Sequence, residues 1–306
     1  MSELRVVTDL AECRDVWERA FPRENLSDLW EVRDCFQEHF QRPAHFLVGD
    51  ESGEFTAFLP LSWIEESQCY GYFPGETWSG KTWLEQNRVV ARDADSLTRL
   101  LAHCPSSYHV RYLCPLDPAA GNGHPVDEIG YLFHPPQYEY DIERYFEEFS
   151  HKTAKRLRKE LAEIEAPGVE YRYDEFNDFN RMVELNMGRF GEKSYFHDAR
   201  FRESFRALAA LLRERGWLRL TAVLIGGEVA AVDMGCLRDG AYTLLGGGTH
   251  GGYPGVAKLI NIHHMRRACE ERMQSVDFLC GDFSWKKLFH LAPRPLYLLS
   301  NVAVQT

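Results

Sequence analysis

The sequence predicts an α+β (α/β) protein of two lobes, each a mixed, mostly antiparallel sheet flanked by helices. Three observations carry that reading. With 306 residues, 44% of them apolar, the chain can bury one large core or two of about 150 residues. Both halves run from helix patterns into strand-like runs joined by tight turns. In the second half, three such runs lead directly into a glycine-rich loop and a long helix pattern.

The elements follow in order. "LRVVT" (Leu4–Thr8) reads as a strand, and Asp9 stands where an N-cap belongs for the helix "LAECRDVWERAF". A second helix covers Leu26–Phe40. "AHFLVGDESGEFTAFLPLSWIEE" reads as a hairpin turning at Asp50–Glu54. The glycines and Pro74 of Gly71–Gly80 give a loop or irregular strand. Asp93–His103 is helical, Tyr108–Cys114 alternates as a strand, and Pro115–Pro125 is dense in turn formers. Ile142–Ala166 is helix with a break near Ser150. A turn and strand, then helices at Phe176–Phe190 and Ala199–Arg215, precede three strands split by Gly226-Gly227 and Arg238-Asp239-Gly240. After the helix from Val256 come the strand Val276–Cys280, a short helix "SWKKLFH" and a last strand "PLYLLSNVAV".

A net charge of −11 argues against a general nucleic-acid binder, although a local basic patch could still bind phosphate. None of the eight cysteines falls in a C-x-x-C spacing, and several sit in apolar runs, as buried free thiols do. The opening "MSELRVVTDL" has no apolar signal core, and no run reaches the roughly 18 apolar residues of a membrane span. A cytoplasmic protein without a span is expected. Adjacent His263 and His264 face different sides of a helix, and no metal site is expected.

Six of the ten residues from Gly246 to Gly255 are glycine. Glycine admits positive φ and close approach to the backbone, and a helix start offers unpaired N–H groups at the positive end of its dipole. Together they make a seat for an anion such as a pyrophosphate, or simply a tight turn feeding a helix. Lys258 lies in the first turn, where a cation is unfavourable unless something negative is close.

At this point the chain resembles the GNAT superfamily of acyltransferases. It is most similar to the two-lobed branch that includes CelD proteins, BioF2-like (Acetyltransf_6-type) proteins and the Fem-type aminoacyl transferases. The resemblance is carried by "FLPL" (Phe58–Leu61), "SHKTAKRLRKE" (Ser150–Glu160), "GGEVAAVDMGCLRDGAYTLLGGG" (Gly226–Gly248), "PGVAKLINIHHMRRACEE" (Pro254–Glu271) and "VDFLCGDFSWKKLF" (Val276–Phe289). It implies an N-terminal degenerate lobe over 1–140, a C-terminal acyltransferase lobe over 141–306, and a cleft between the lobes. It implies an acyl-CoA donor, acetyl-CoA first, and a small-molecule or peptide amine acceptor. The donor would contact Leu245, Gly246, Gly251, Gly252, Gly255, Ala257 and Lys258, its amide-bearing arm pairing with backbone near Leu244–Gly246 as an added strand. The family's pyrophosphate signature opens with Gln or Arg; here "GYPGVA" has Gly252 in that place.

Acyl transfer needs a base and oxyanion donors. Asp233 interrupts an apolar strand, where burial would tune it for acid–base work or where it would simply face solvent. His250 and Asp282 are further acid–base candidates. Lys286 would hold an acceptor carboxylate or the oxyanion, with Trp285 beside it. Lys155 and Arg158 of the basic helix and Tyr253 of the loop would touch substrate. The same basic helix also reads as a solvated surface paired with its own glutamates. Two rivals stand beside the acyl-CoA reading: a Fem-like transferase using aminoacyl-tRNA, and a GNAT-like scaffold that only binds.

Overall fold

The computed structural model describes residues 3–51, 54–115, 123–281 and 284–302. The chain divides into two compact units. One comprises Met1–Ile129, Glu203–Phe205 and Pro295–Thr306; the other comprises Gly130–Arg202 and Arg206–Arg294. Both are mixed α+β units built on mostly antiparallel strands.

In the first unit, strand β1 (Glu3–Val7) leads to helix α1 (Leu10–Ala20). Asp9 caps that helix, accepting the amides of Ala11 and Glu12. A 3₁₀ turn at Leu26–Asp28 precedes α2 (Trp30–Phe40). Strands β2 (Ala44–Glu51) and β3 (Glu54–Ile64) form the expected hairpin, though its turn residues 52 and 53 lie outside the described residues. Then come β4 (Cys69–Tyr72), the short β5 (Val90–Ala91), α3 (Ala94–Ala102) and β6 (His109–Leu113). The sheet runs β1-β2-β3-β4, with β5 also on β3. An aromatic core of Trp17, Trp30, Phe46, Phe58 and Phe73 fills the space under the helices. Burial of that many large rings is the main stabilising term here.

β7 (Val126–Phe133) was not marked by any sequence signal, because "VDEIGYLF" neither alternates nor forms an apolar run. The second unit continues with α4 (Ile142–Phe146) and α5 (His151–Glu165), the break between them made by Ser150 capping the amide of Thr153. Next come β8 (Val169–Tyr173), α6 (Asp178–Phe190) and α7 (Ala199–Glu214). The meander β9 (Leu218–Ile225), β10 (Glu228–Arg238) and β11 (Ala241–Thr249) leads into α8 (Val256–Glu270). β12 (Ser275–Asp277), α9 (Ser284–Leu288) and β13 (Ala292–Ser300) complete the chain. Strands β8 to β12 lie side by side in sequence order, with the Leu132–Phe133 end of β7 beyond β12.

Consecutive glycines set how the helices approach this sheet. A Cβ on Gly248 would stand 2.3 Å from the Met182 carbonyl oxygen of α6, and one on Gly247 would stand 2.2 Å from Asp233 Oδ1. Adjacent strand residues point to opposite faces. Bare backbone therefore lets α6 press on one face and a carboxylate lie flat on the other.

Candidate active site

β10 holds β11 along its whole length, up to the pair Ala231 and Thr249. On its other edge β11 pairs with β12, in parallel, only through Ala241, Tyr242 and Thr243. β12 ends at Asp277 while β11 runs on for six residues, so the two strands part and, among the described residues, the β11 edge from Leu244 onward has no strand partner. At the point of parting the β10 register slips: Met234 pairs with Gly246 and Gly235 with Leu244, so Leu245 is a bulge. A bulged residue's backbone groups leave the ladder and are re-aimed. Leu245 and Gly246 thus sit at the mouth of the gap.

The strand then delivers the glycine loop. Gly255, at φ 86°, is the N-cap of α8 and has no side chain to close the helix start. The amides of Tyr253, Val256 and Lys258 bond carbonyls of the same loop, and Gly252 donates to His250 Nδ1. Among the described residues no hydrogen bond engages the amides of Gly251, Gly255 or Ala257. Beside this loop opens a groove of ≈ 490 Å³ lined by Gly252, Tyr253, Gly255 and Lys258 on one side and by Glu160, Glu163 and Ile164 of α5 on the other.

That second wall changes the reading of Lys258. Its ammonium is ion-paired with Glu160, and this hydrogen bond holds the Glu160 carboxyl below its usual range. The negative group that makes a first-turn lysine tolerable is therefore Glu160, a part of the chain itself.

The other candidates fall into place as follows. Asp233 is 5% exposed, and its Oδ2 bonds His264 Nε2 at 3.0 Å, a buried pair between β10 and α8. The alternative of a solvent-facing Asp233 is thereby set aside, and the buried carboxylate shares its hydrogen bond with His264. His264, which sequence reasoning set aside together with His263, is its partner. Tyr242 stacks near His264, with ring centres 5.1 Å apart, and burial pushes its phenol well above the usual range. His250 accepts the Gly252 N–H on Nδ1, which leaves its Nε2 without a hydrogen bond among the described residues. Its ring lies 5.4 Å from that of Tyr253.

Lys286 is 3% exposed, and its Nζ donates to the carbonyls of Phe278, Leu279 and Cys280, each at 2.8 Å. These are the residues that follow β12, so Lys286 ties down the far lip of the gap. Trp285 packs edge-on between Phe278 and Phe289. Asp282 lies outside the described residues. On α5, Arg158 pairs with Glu143 and sits over Phe146, Arg156 faces Glu160 and Lys159 faces Glu163, while Lys155 is exposed. The basic helix is thus largely a self-paired surface. Among the described residues no group of three or more His, Cys, Asp or Glu could hold a metal ion, and no helix is long and apolar enough to cross a membrane.

Comparison with known proteins agrees with this layout. Residues 150–287 match the family described as acetyltransferase (GNAT) domain. No curated protein matches the chain. Among solved structures, FemX aligns with 99% of this chain and 98% of its own at 11% identity, with a TM-score of 0.60. The C-terminal domain of a putative lysylphosphatidylglycerol synthetase from Agrobacterium fabrum aligns with 96% of this chain and 93% of its own at 12% identity and TM-score 0.58. L-PGS from Bacillus licheniformis aligns with 90% of this chain and 93% of its own at 13% identity and TM-score 0.55. Residues 150–287 are thus similar to GNAT acetyltransferase domains, and the chain as a whole shares its fold with these solved structures.

Proposed function

We propose that the second unit transfers an acyl group from acyl-CoA to an amine by direct attack, with the donor laid along the open edge of β11. The observation that carries this reading is the parting of β11 from β12 at a bulge on Leu245, with the glycine loop at its far end. The donor's amide-bearing arm would complete the unpaired edge of β11 as an added strand. Its pyrophosphate would rest on the amides of Gly251, Gly255 and Ala257.

The amine nitrogen attacks the thioester carbon; the C–N bond forms, the C–S bond breaks, and the proton shed by the nitrogen passes through solvent or a neighbouring hydroxyl to the leaving thiolate. The developing oxyanion needs a fixed donor, and the Leu245 amide at the bulge would give one. The Tyr253 hydroxyl, with the His250 ring 5.4 Å away, would supply the proton to the leaving thiolate. Lys286 acts through the carbonyls it ties down, keeping the lips of the gap apart.

The acidic wall favours a second reading. Glu160 and Glu163 oppose a pyrophosphate, and Lys258 is already neutralised. A Fem-like reaction would draw its acyl group from aminoacyl-tRNA, whose ester lies at the end of a long backbone and needs no seat on this loop.

One experiment separates the two. The full-length protein is given acetyl-CoA or a mixed pool of aminoacyl-tRNAs, each with a panel of primary amines, and free thiol or deacylated tRNA is measured. Thiol release is expected, falling about 100-fold in Leu245→Pro, which removes the bulge amide. Loss of acyl group from the tRNA pool alone transfers the assignment to the second reading, and turnover of neither donor defeats both.

A further inference from the structure

The first unit has its own gap between parallel strands. Among the described residues β4 and β6 share a single parallel bridge, Tyr70 with Tyr108, and no continuous ladder. Beside that gap lies a cleft of ≈ 230 Å³, walled by Cys69 and Gly71 of β4, His109 and Arg111 of β6, and the loop carrying Gly75 and Glu76.

Glu76 is the feature that calls for a ligand. It is 1% exposed, yet lines the cleft. Thr82 Oγ1 and the amides of Trp83 and Leu84 all donate to its Oε1, the two amides at 3.0 and 2.7 Å. Among the described residues no hydrogen bond engages Oε2. Three donors on one oxygen fix the carboxyl rigidly and leave the other oxygen to the cleft. An acceptor that no protein donor engages, at the wall of a cleft, marks a place where a ligand donor can bind.

The remaining charges decide which donor. Arg111 is clamped by both oxygens of Asp127, at 2.8–3.1 Å, and so brings no net positive charge. Burial and the nearby Arg111 lower the proton affinity of His109, which keeps its ring neutral. Arg33 is close enough to act on Glu76 electrostatically, but its guanidinium donates to Ser27, Phe73 and Asn87 instead. Glu76 is thus the one lining carboxyl with an oxygen to spare. The rest of the wall is largely apolar or bare, from Ile64, Cys69, Tyr72, Val302 and three glycines, with the uncharged hydroxyls of Ser67, Thr77 and Thr82 among them.

We infer that this cleft is a binding site for a small primary amine with a short aliphatic body, its ammonium donating to Glu76 Oε2. The cleft is smaller than the roughly 300–1,000 Å³ of drug-sized sites, which excludes a nucleotide and suits a compact ligand. A lone carboxylate with apolar neighbours suits an ammonium better than a metal ion, which requires several oxygen ligands. The site stands independently of acyl transfer in the second unit.

Titration calorimetry on the full-length protein with n-butylammonium, n-butanol and butyrate tests this. Saturable binding of n-butylammonium is expected, at least 10-fold tighter than either of the other two. Glu76→Gln keeps an oxygen for Thr82, Trp83 and Leu84 but turns an NH₂ toward the cleft, so n-butylammonium should bind at least 10-fold more weakly while the thermal melt stays cooperative. Ser67→Trp, at an exposed rim position, should abolish binding by filling the cleft, and it decides the matter if Glu76→Gln does not fold. Equal affinity for butyrate and n-butylammonium, unchanged affinity in Ser67→Trp, or no binding of n-butylammonium at all overturns the inference.

Discussion

The two units repeat one order of elements: a strand, two helices, three antiparallel strands, a helix, then a strand parallel to the third. They differ in what fills the gap between the parallel strands. In the second unit the β11 edge beyond Thr243 is open. In the first, the chain has filled the gap with itself. Asn87 donates its amide to Tyr112 and accepts from Cys114, at 2.9 and 2.7 Å, as an added strand would. Its side chain donates to the Arg111 carbonyl and accepts from buried Arg33. The helix starts differ in the same sense. Asp93 caps α3 by accepting the Ser96 amide, whereas α8 begins on Gly255, which has no side chain. Where a unit completes its own hydrogen bonds there is no edge left for a donor's arm; where glycine stands in place of a cap, there is.

The most forceful way to break this comparison is to remove the plug. Asn87→Leu leaves an Arg33 N–H and the Arg111 carbonyl buried without partners, and two such losses cost about 2–4 kcal/mol. Urea unfolding should show a lower midpoint with an unchanged slope. A variant as stable as the parent would mean that Asn87 merely lies in the gap and does not close it.

Acidification probes the open unit by another route. His263 of α8 stacks on Tyr171, with ring centres 3.6 Å apart, and its Nε2 lies 3.0 Å from the Tyr173 hydroxyl, fixing α8 against β8. Burial, then His264 and the neighbouring arginines, pull its pKa down to about 3. The unfolded chain takes up this proton below about pH 6.5 and the folded chain does not. The stabilisation is therefore complete above that pH and is lost as pH falls toward 3. Linkage puts the loss from this one group at about 2 kcal/mol between about pH 7 and about pH 5. His263→Phe keeps the stack without the titration, so its unfolding midpoint should fall less over that interval. Parallel pH profiles for the two proteins would remove His263 as the cause.

Much of the fold was legible because its signals are local. Asp9, Asp93 and Ser150 cap the helices they precede, and the Gly226-Gly227 and Asp239-Gly240 turns split the meander where positive φ is needed. The glycine loop was legible for the same reason. What escaped notice depends on partners far apart in sequence. Nothing near Asp233 announces His264, and nothing near Asn87 announces Arg33, 54 residues away. Lys286 reads as a catalytic cation until its three carbonyls are seen. The last strand gives no hint that Tyr297 and Leu299 pair with β6. Lys258 is the instructive middle case. Its misfit in the first turn correctly signalled a nearby negative group, but sequence could not tell a ligand from Glu160, 98 residues back.

That ambiguity sets the smallest and sharpest test. Both helix starts are answered by a carboxylate, but by different routes. In the first unit Asp93 belongs to the helix it caps and cannot leave without unfolding its first turn. In the second, Glu160 comes from α5 and reaches α8 only through the Lys258 ammonium, at a half-exposed site that water and salt can enter. Glu160→Gln should release Lys258 toward the groove and remove one repelling charge. Affinity for coenzyme A should then rise roughly 2–5-fold at low salt, the range a single exposed ion pair supplies, and the gain should vanish at high salt. Lys258→Met should erase the gain when combined with Glu160→Gln, because the freed ammonium is its source. If Glu160→Gln instead weakens binding, the ion pair is what holds the groove open, and the second helix start is as closed to anions as the first.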